Sequence, residues 1–241
     1  MAGHRRLRIL ALLGADGEAT TGTHRLCDVC AEVTETTGAG IMLMADDVPH
    51  GSVCTTDEVS GVIEQLQYDL GEGPCVDAYR QDRPVSEPNL ADPRTQRWSA
   101  FTGPALDAGA RAVFGFPLQV GAVRLGAMNL YRDRVGPLTD EQHADALVMA
   151  DVAAQAVLVI QAQAPPGELA AELEAGADFQ FVVHQAAGMV AVQLDVSVGQ
   201  ALIRLRAHAF GNDRPLTQVA ADVVARTLRF DADSGELDPV A

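Results

Sequence analysis

Residues 111–131 read RAVFGFPLQVGAVRLGAMNLY. Two apolar runs, 111–120 and 123–131, are separated by Gly121 and Ala122 alone, and a two-residue break beginning with glycine predicts a β-hairpin. Outward from it, AGIMLMAD (39–46), GSVCTT (51–56) and RPVSEP (83–88) read as shorter strands, with Asp46-Asp47 marking a turn. Residues 19–37 read as a helix ending at Gly38, residues near 70–82 as a second helix, and residues near 88–104 as irregular. Strands and helices mix without strict alternation, which favours an α+β fold around an antiparallel sheet flanked by helices.

After the hairpin, Thr139–Gln163 reads as a long helix. Asp140 and Glu141 lie in its first turn, where negative charge suits the helix dipole. Leu147, Val148, Val152, Val159 and nearby alanines supply its apolar stripe, and Pro165, Pro166 and Gly167 end it. ELAAELEAGADFQ (168–180) resumes a helix. This linking segment either pairs with a second copy, giving a homodimer, or packs on its own sheet. The last quarter, 182–229, reads as three short helices. FVVHQAAGMVAVQ (181–193) places Val182, Ala186, Met189 and Val190 on one face. SVGQALIRLRAHAF (197–210) opens on Ser197 as N-cap and aligns Val198, Ala201, Leu202, Leu205 and Ala209. PLTQVAADVVARTL (215–228) follows the turn residues Gly211, Asn212 and Asp213 and buries Leu216, Val219, Ala220 and Val223.

The 241 residues carry a formal net charge of -16, and every fixed cation is an arginine. Such a chain does not coat nucleic acid through its overall charge, because the phosphate contribution follows local cation count. Screening over about 10 Å nevertheless lets a small arginine cluster act locally. No apolar run approaches the roughly 20 residues of a membrane span, so no spanning helix is expected. MAGHRRLRILALLGA has the basic-then-apolar order of a secretory signal, but its short run without a clean cleavage site reads better as a first amphipathic helix. Four cysteines without a regular framework suit a reducing cytoplasm.

Catalytic signatures are missing from the sequence. There is no phosphate-binding loop, no nucleophile elbow and no dinucleotide fingerprint, and the six histidines are dispersed. The pattern points to no enzyme, no metal and no cofactor. Cys27 and Cys30 form a C-x-x-C with no second pair to complete a zinc site. Cys75, just after Gly73-Pro74 at a helix start, is a candidate redox thiol, since a helix N-terminus stabilises thiolate.

Several strings resemble known families. GEGPCVDAYRQDRPV (71–85), Trp98 with Phe101, and the hairpin runs FGFPLQV and LGAMNLYRD resemble the GAF sensor domains that accompany ANTAR modules. QAAGM, then AL..LR..A at 201–209 and PL..VA at 215–220, resembles the ANTAR module itself, a three-helix RNA-binding antiterminator domain. The resemblance implies a GAF-like sensor over 1–162, a linker over 163–178, and an all-α ANTAR-like module with a tail over 179–241. It implies a transcription antiterminator that binds RNA hairpins in response to a signal, with a small-molecule ligand in the GAF-like part. In that part Ile41, Leu43, Cys54, Phe114, Phe116, Met128 and Leu130 alternate along the strands and are expected to divide between core and cavity.

For RNA contact the candidates are Arg204, Arg206, His208, Phe210 and Arg214. Arg206 occupies the arginine of the LR..A string, beside Ile203 and Phe210 on the helical wheel, and suits stacking on a loop base. Arg204, His208 and Arg214 suit phosphates. Two features depart from the ANTAR pattern. Ala187 stands where such modules commonly carry lysine, and residues 168–229 hold five arginines against seven acids. Two rival readings are a GAF-domain dimer signalling through protein contact without RNA, and a thiol-based redox sensor using Cys75.

Overall fold

The computed structural model describes residues 2–14, 23–45, 48–95, 97–163, 170, 173 and 181–231. The chain forms two compact units, Met1–Tyr68 with Glu72–Phe179, and Asp69–Gly71 with Gln180–Ala241.

The hairpin forms as read. Ala112–Val120 (β4) and Val123–Arg132 (β5) pair antiparallel, and Gly121 takes the left-handed backbone (φ 59°) that lets two residues reverse the chain. Gly38–Ala45 (β1), Val48–Thr55 (β2) and Val85–Glu87 (β3) complete a five-stranded sheet of order β2-β1-β5-β4-β3, antiparallel throughout. The β1–β2 register shifts twice, between Ile41 and Met42 and between Leu43 and Met44. The proposed Asp46-Asp47 turn lies outside the described residues.

One face of the sheet is covered by Ala2–Leu13 (α1), His24–Thr34 (α2) and Asp140–Gln161 (α6). The opening segment is thus a helix, and it buries Ile9. Its arginines meet α6: Arg5 and Arg8 each lie 2.7 Å from an Asp145 carboxylate oxygen, and Arg5 also pairs with Glu141 and Arg6 with Asp151. Helix α6 starts on a reciprocal cap: Thr139 Oγ1 accepts from Gln142 N, and Gln142 Oε1 accepts from Thr139 N. Its inward side is Ala146, Met149, Ala150, Ala153 and Val157, whereas Leu147 and Val159, expected in the stripe, are exposed. The helix is apolar nearly all round, so periodicity alone did not select the buried side. Contrary to the expectation of no such run, α6 is long and apolar enough to cross a membrane. Here it is a core helix packed on β4 and α2.

The other face carries Glu58–Leu70 (α3) and Pro74–Gln81 (α4). Helix α3 was not anticipated. Its start is held by Asp57, whose carboxylate accepts from Ser60 N at 2.7 Å while Ser60 Oγ accepts from Asp57 N at 2.9 Å. A short helix, Thr102–Asp107 (α5), follows a 3-10 turn at Pro93–Thr95 in the stretch read as irregular.

Three helices form the second unit: Phe181–Leu194 (α7), Val198–Gly211 (α8) and Leu216–Val224 (α9). Ser197 caps α8 reciprocally with Gln200. The small core is Val183, Ala186, Ala187 and Val190, then Ala201, Leu202, Leu205 and Ala209, then Leu216, Val219, Ala220 and Val223. Val198, expected inside, is exposed, and Val182 and Met189 are only partly covered. Pro165–Gly167, all of 168–180 except Ala170 and Leu173, and the tail beyond Asp231 lie outside the described residues. So does most of the expected linker and the helix read there.

Candidate functional site

The seven alternating apolar residues do not divide between core and cavity. Ile41, Leu43, Cys54, Phe114, Phe116, Met128 and Leu130 all belong to the core beneath α2 and α6. Their odd or even parity within each strand puts them on one face. The opposite face is built differently. Gly40 on β1, Asn129 on β5 and Gly115 on β4 sit side by side in register. An added Cβ at Gly40 would lie 2.6 Å from Glu64 Oε1, and one at Gly115 would run into the Pro74 carbonyl. These two glycines therefore let α3 and α4 approach the sheet on either side of Asn129.

Glu64 and Gln67, three residues apart on α3, point into this layer, and both are buried with Asn129. Gln67 Oε1 accepts from Cys75 N at 2.7 Å, tying α3 to the start of α4. Both Glu64 oxygens, Gln67 Nε2 and both polar atoms of the Asn129 amide find no hydrogen-bond partner among the described residues. Burial pushes the Glu64 carboxyl up to about 8. The group is thus kept protonated well above the ordinary carboxylate range.

The string at 71–85 has a structural role around this layer. Glu72 Oε1 accepts from Ala100 N at 2.7 Å and Phe101 N at 2.9 Å, and Asp77 on α4 accepts from Trp98 Nε1 at 3.1 Å. Trp98 stacks edge-on against Phe101, their ring centroids 5.8 Å apart. The loop-helix motif and the tryptophan segment are thus one clamped assembly against the α3–α4 face.

The cysteines depart from expectation. Cys27 on α2 and Cys54 on β2 form a disulfide, with Cα atoms 6.0 Å apart. Cys27-x-x-Cys30 is therefore not a paired motif, and Cys30 and Cys75 are free thiols. Cys75 is fully buried, and desolvation, followed by the charge of Glu64, pushes its thiol well above the usual range. The reactive thiolate required of a redox sensor at Cys75 is opposed by these surroundings, despite its place in the first turn of α4.

The candidate RNA residues of α8 and its following turn separate into two groups. Ile203 and Phe210 are 63% and 67% exposed, seven residues apart on one side of the helix, with the half-buried Arg206 between them. Arg206 is engaged within the chain, and Arg204 is exposed on the neighbouring flank. His208 and Arg214 are instead built into the bundle. The His208 ring meets Phe230 edge-on at 5.6 Å, and its Nδ1 lies 3.0 Å from Asn212 Nδ2. Burial, then the charge of Arg214, lowers the His208 pKa, which disfavours the imidazolium that a phosphate contact would use. Arg214 donates to Asp222 at 2.6 Å. Sequence spacing brought all five residues to one region, but the tertiary partners of Arg206, His208 and Arg214 leave Arg204 and Phe210 as the exposed members of the set.

The GAF domain family matches residues 23–158, more than half of the chain. The protein belongs to the GAF family, whose members include signal-sensing domains. The match ends before α7 and does not reach the three-helix unit. No curated protein matches the sequence. Among solved structures, the GAF domain of a phosphoenolpyruvate-protein phosphotransferase from Coxiella burnetii is 13% identical, covering 66% of this chain and 96% of its own, with a TM-score of 0.49. The corresponding domain from Acinetobacter is 10% identical, covering 67% and 96%, also at 0.49. A domain of a two-component sensor histidine kinase protein from Sinorhizobium meliloti is 17% identical, covering 57% and 89%, at 0.44. The family assignment rests on the sequence match, and these distant structures do not bear on activity.

Proposed function

We propose that this chain is a cytoplasmic, signal-responsive regulator that works by binding and not by catalysis. Its GAF domain senses a small molecule on the α3–α4 face of the sheet, and its α7–α9 unit binds RNA hairpins as a transcription antiterminator, with two copies engaging two hairpins for avidity. The observation that carries the RNA reading is the row on α8: an arginine between two exposed apolar side chains, flanked by Arg204, on a folded bundle bearing the ANTAR-like strings. A guanidinium beside an aromatic ring suits an unstacked loop base, and a flanking arginine suits phosphate.

Gel-shift titration of the full chain with hairpin RNAs tests this. Saturable binding is expected, weakened by Phe210→Ala or Arg206→Ala by about 1–3 kcal/mol and falling steeply with salt. Failure to bind any hairpin at low salt overturns it. The exposure of Ile203 and Phe210 also favours a second reading, in which α8 docks a protein and no RNA. In that case the arginine substitutions leave signalling intact while Phe210→Ala abolishes it.

A further inference from the structure

The Cys27–Cys54 bridge joins helix α2 to β2, and β2 is an edge strand paired with β1 alone. The ladder is interrupted beside the bridge. Ile41 pairs with Cys54 and Met42 with Ser52, so Val53 is an extra residue with no partner on β1. Further along, Leu43 pairs with Gly51 and Met44 with Pro49, which leaves His50 extra in the same way. At the first break the Ser52 hydroxyl stands in for the ladder, 3.3 Å from Ile41 O and 3.2 Å from Cys54 O. An edge strand interrupted twice opens more readily than the inner strands β5 and β4. Both cysteines are buried when β2 is closed, so its opening is the route by which Cys54 meets solvent.

The domain does not need this bridge to make a core. Large apolar side chains already fill the layer under α2 and α6, whereas obligatory staples belong to small domains that cannot build one. The chain also leaves Cys30 and Cys75 unpaired, unlike the fully paired framework of a small secreted domain.

We infer that the Cys27–Cys54 disulfide is a reversible redox switch, exchanging with small thiol reductants of the glutathione class through opening of β2. The inference rests on the cytoplasmic placement proposed above, and it adds a second input on the sheet face opposite the sensed small molecule. A reductant thiolate attacks Cys54 Sγ, and Cys27 leaves as a thiolate and takes up a proton. A second reductant thiol displaces the mixed disulfide and returns Cys54 as a thiol. Two electrons and two protons thus pass to the protein, and the two reductant molecules leave joined as their own disulfide. Exchange with that disulfide, run in reverse, restores the bridge. Burial holds the Cys30 thiol above its usual range, so this neighbour on α2 does not divert the exchange. Two thiols need more room than one bonded pair, and a close-packed interior cannot supply it without movement. Reduction therefore frees β2 from α2, and α2 passes the change to α6, on which it packs.

The full chain, equilibrated in graded ratios of reduced to oxidised glutathione, tests this. Samples are unfolded, alkylated and weighed by mass spectrometry. The oxidised chain is expected to take up two alkyl groups, on Cys30 and Cys75, and the reduced chain four, in one reversible two-electron step. Circular dichroism is expected to show the chain folded throughout, with the melting temperature lower by roughly 5–10 °C after reduction. Amide exchange along 48–55 should speed up about tenfold or more on reduction while that of β4 and β5 stays unchanged. Cys75→Ser should leave the transition where it is, and Cys27→Ser should show the fast β2 exchange under every condition. A bridge that resists glutathione until the chain unfolds is a structural staple and overturns the inference. So does global unfolding on reduction, or β2 exchange that ignores the redox state. None of these outcomes bears on hairpin binding. Reduction by glutathione in a protein found outside the cytoplasm would overturn the placement and leave the chemistry of the switch standing.

Discussion

The two faces of the one sheet follow opposite rules. Under α2 and α6, strands β1, β2, β4 and β5 contribute apolar side chains, and Phe114, Phe116, Met128 and Leu130 close the layer. Under α3 and α4, alternate residues of the same strands contribute Gly40, Gly115 and Asn129, and the covering helix supplies Glu64 and Gln67. Both layers exclude solvent equally, yet one is satisfied by packing alone and the other leaves hydrogen-bonding capacity unused. Burial by itself therefore does not measure stability: the first layer holds the domain together by packing, and the second keeps unpaired polar groups buried at a cost in stability.

Met128 and Asn129 are chain neighbours on opposite faces, both fully buried. Met128→Ala should cost about 2–5 kcal/mol in urea unfolding, through lost transfer energy and the cavity left behind. A much smaller loss would mean that the apolar layer is not the scaffold. The next largest effect concerns Glu64. Its folded-state carboxyl lies near 8, against an ordinary value of 4.5. The folded state thus binds a proton that the unfolded chain has released, so this contribution is full below about 4.5 and is lost as pH rises towards about 8. Stability should fall over that window by a few kcal/mol, and Glu64→Gln should flatten the slope. An unchanged slope would place the carboxylate in a satisfied environment and remove the contrast between the faces. Thr139→Ala, which removes the cap of α6, should cost about 1 kcal/mol. Asn129→Ala should cost less than about 1 kcal/mol, because the relief of an unpaired amide offsets the lost volume. A cost as large as that of Met128→Ala would show that both faces obey the same rule.

How far the sequence reveals these layers depends on the kind of signal each carries. The hairpin, the sheet and the three C-terminal helices are legible because alternation and 3.6-residue spacing express a single buried side. The shared face of Ile41, Leu43, Phe114, Phe116, Met128 and Leu130 could also have been read from parity along each strand. Helix α3 escaped because its buried stripe is Ser60, Ile63, Glu64, Gln67 and Tyr68, in which polar residues occupy the positions that hydrophobic periodicity searches for. The same inversion hides Glu64 and Gln67, and Asn129 is hidden further inside an apolar run. The disulfide between Cys27 and Cys54 links residues 27 apart with no spacing rule to announce it. The pairings of Arg214 with Asp222 and of His208 with Phe230 arise only when helices and chain end come together.

The sheet order carries a consequence for self-association. Its two outermost members are β2, whose pairing is broken twice by irregular register, and β3, only three residues long and followed by Pro88. Neither offers the long, regular row of free amides and carbonyls that recruits a strand from another molecule. Edge-to-edge growth into larger sheets is discouraged, and any twofold assembly of this domain is steered towards contacts made by its helices.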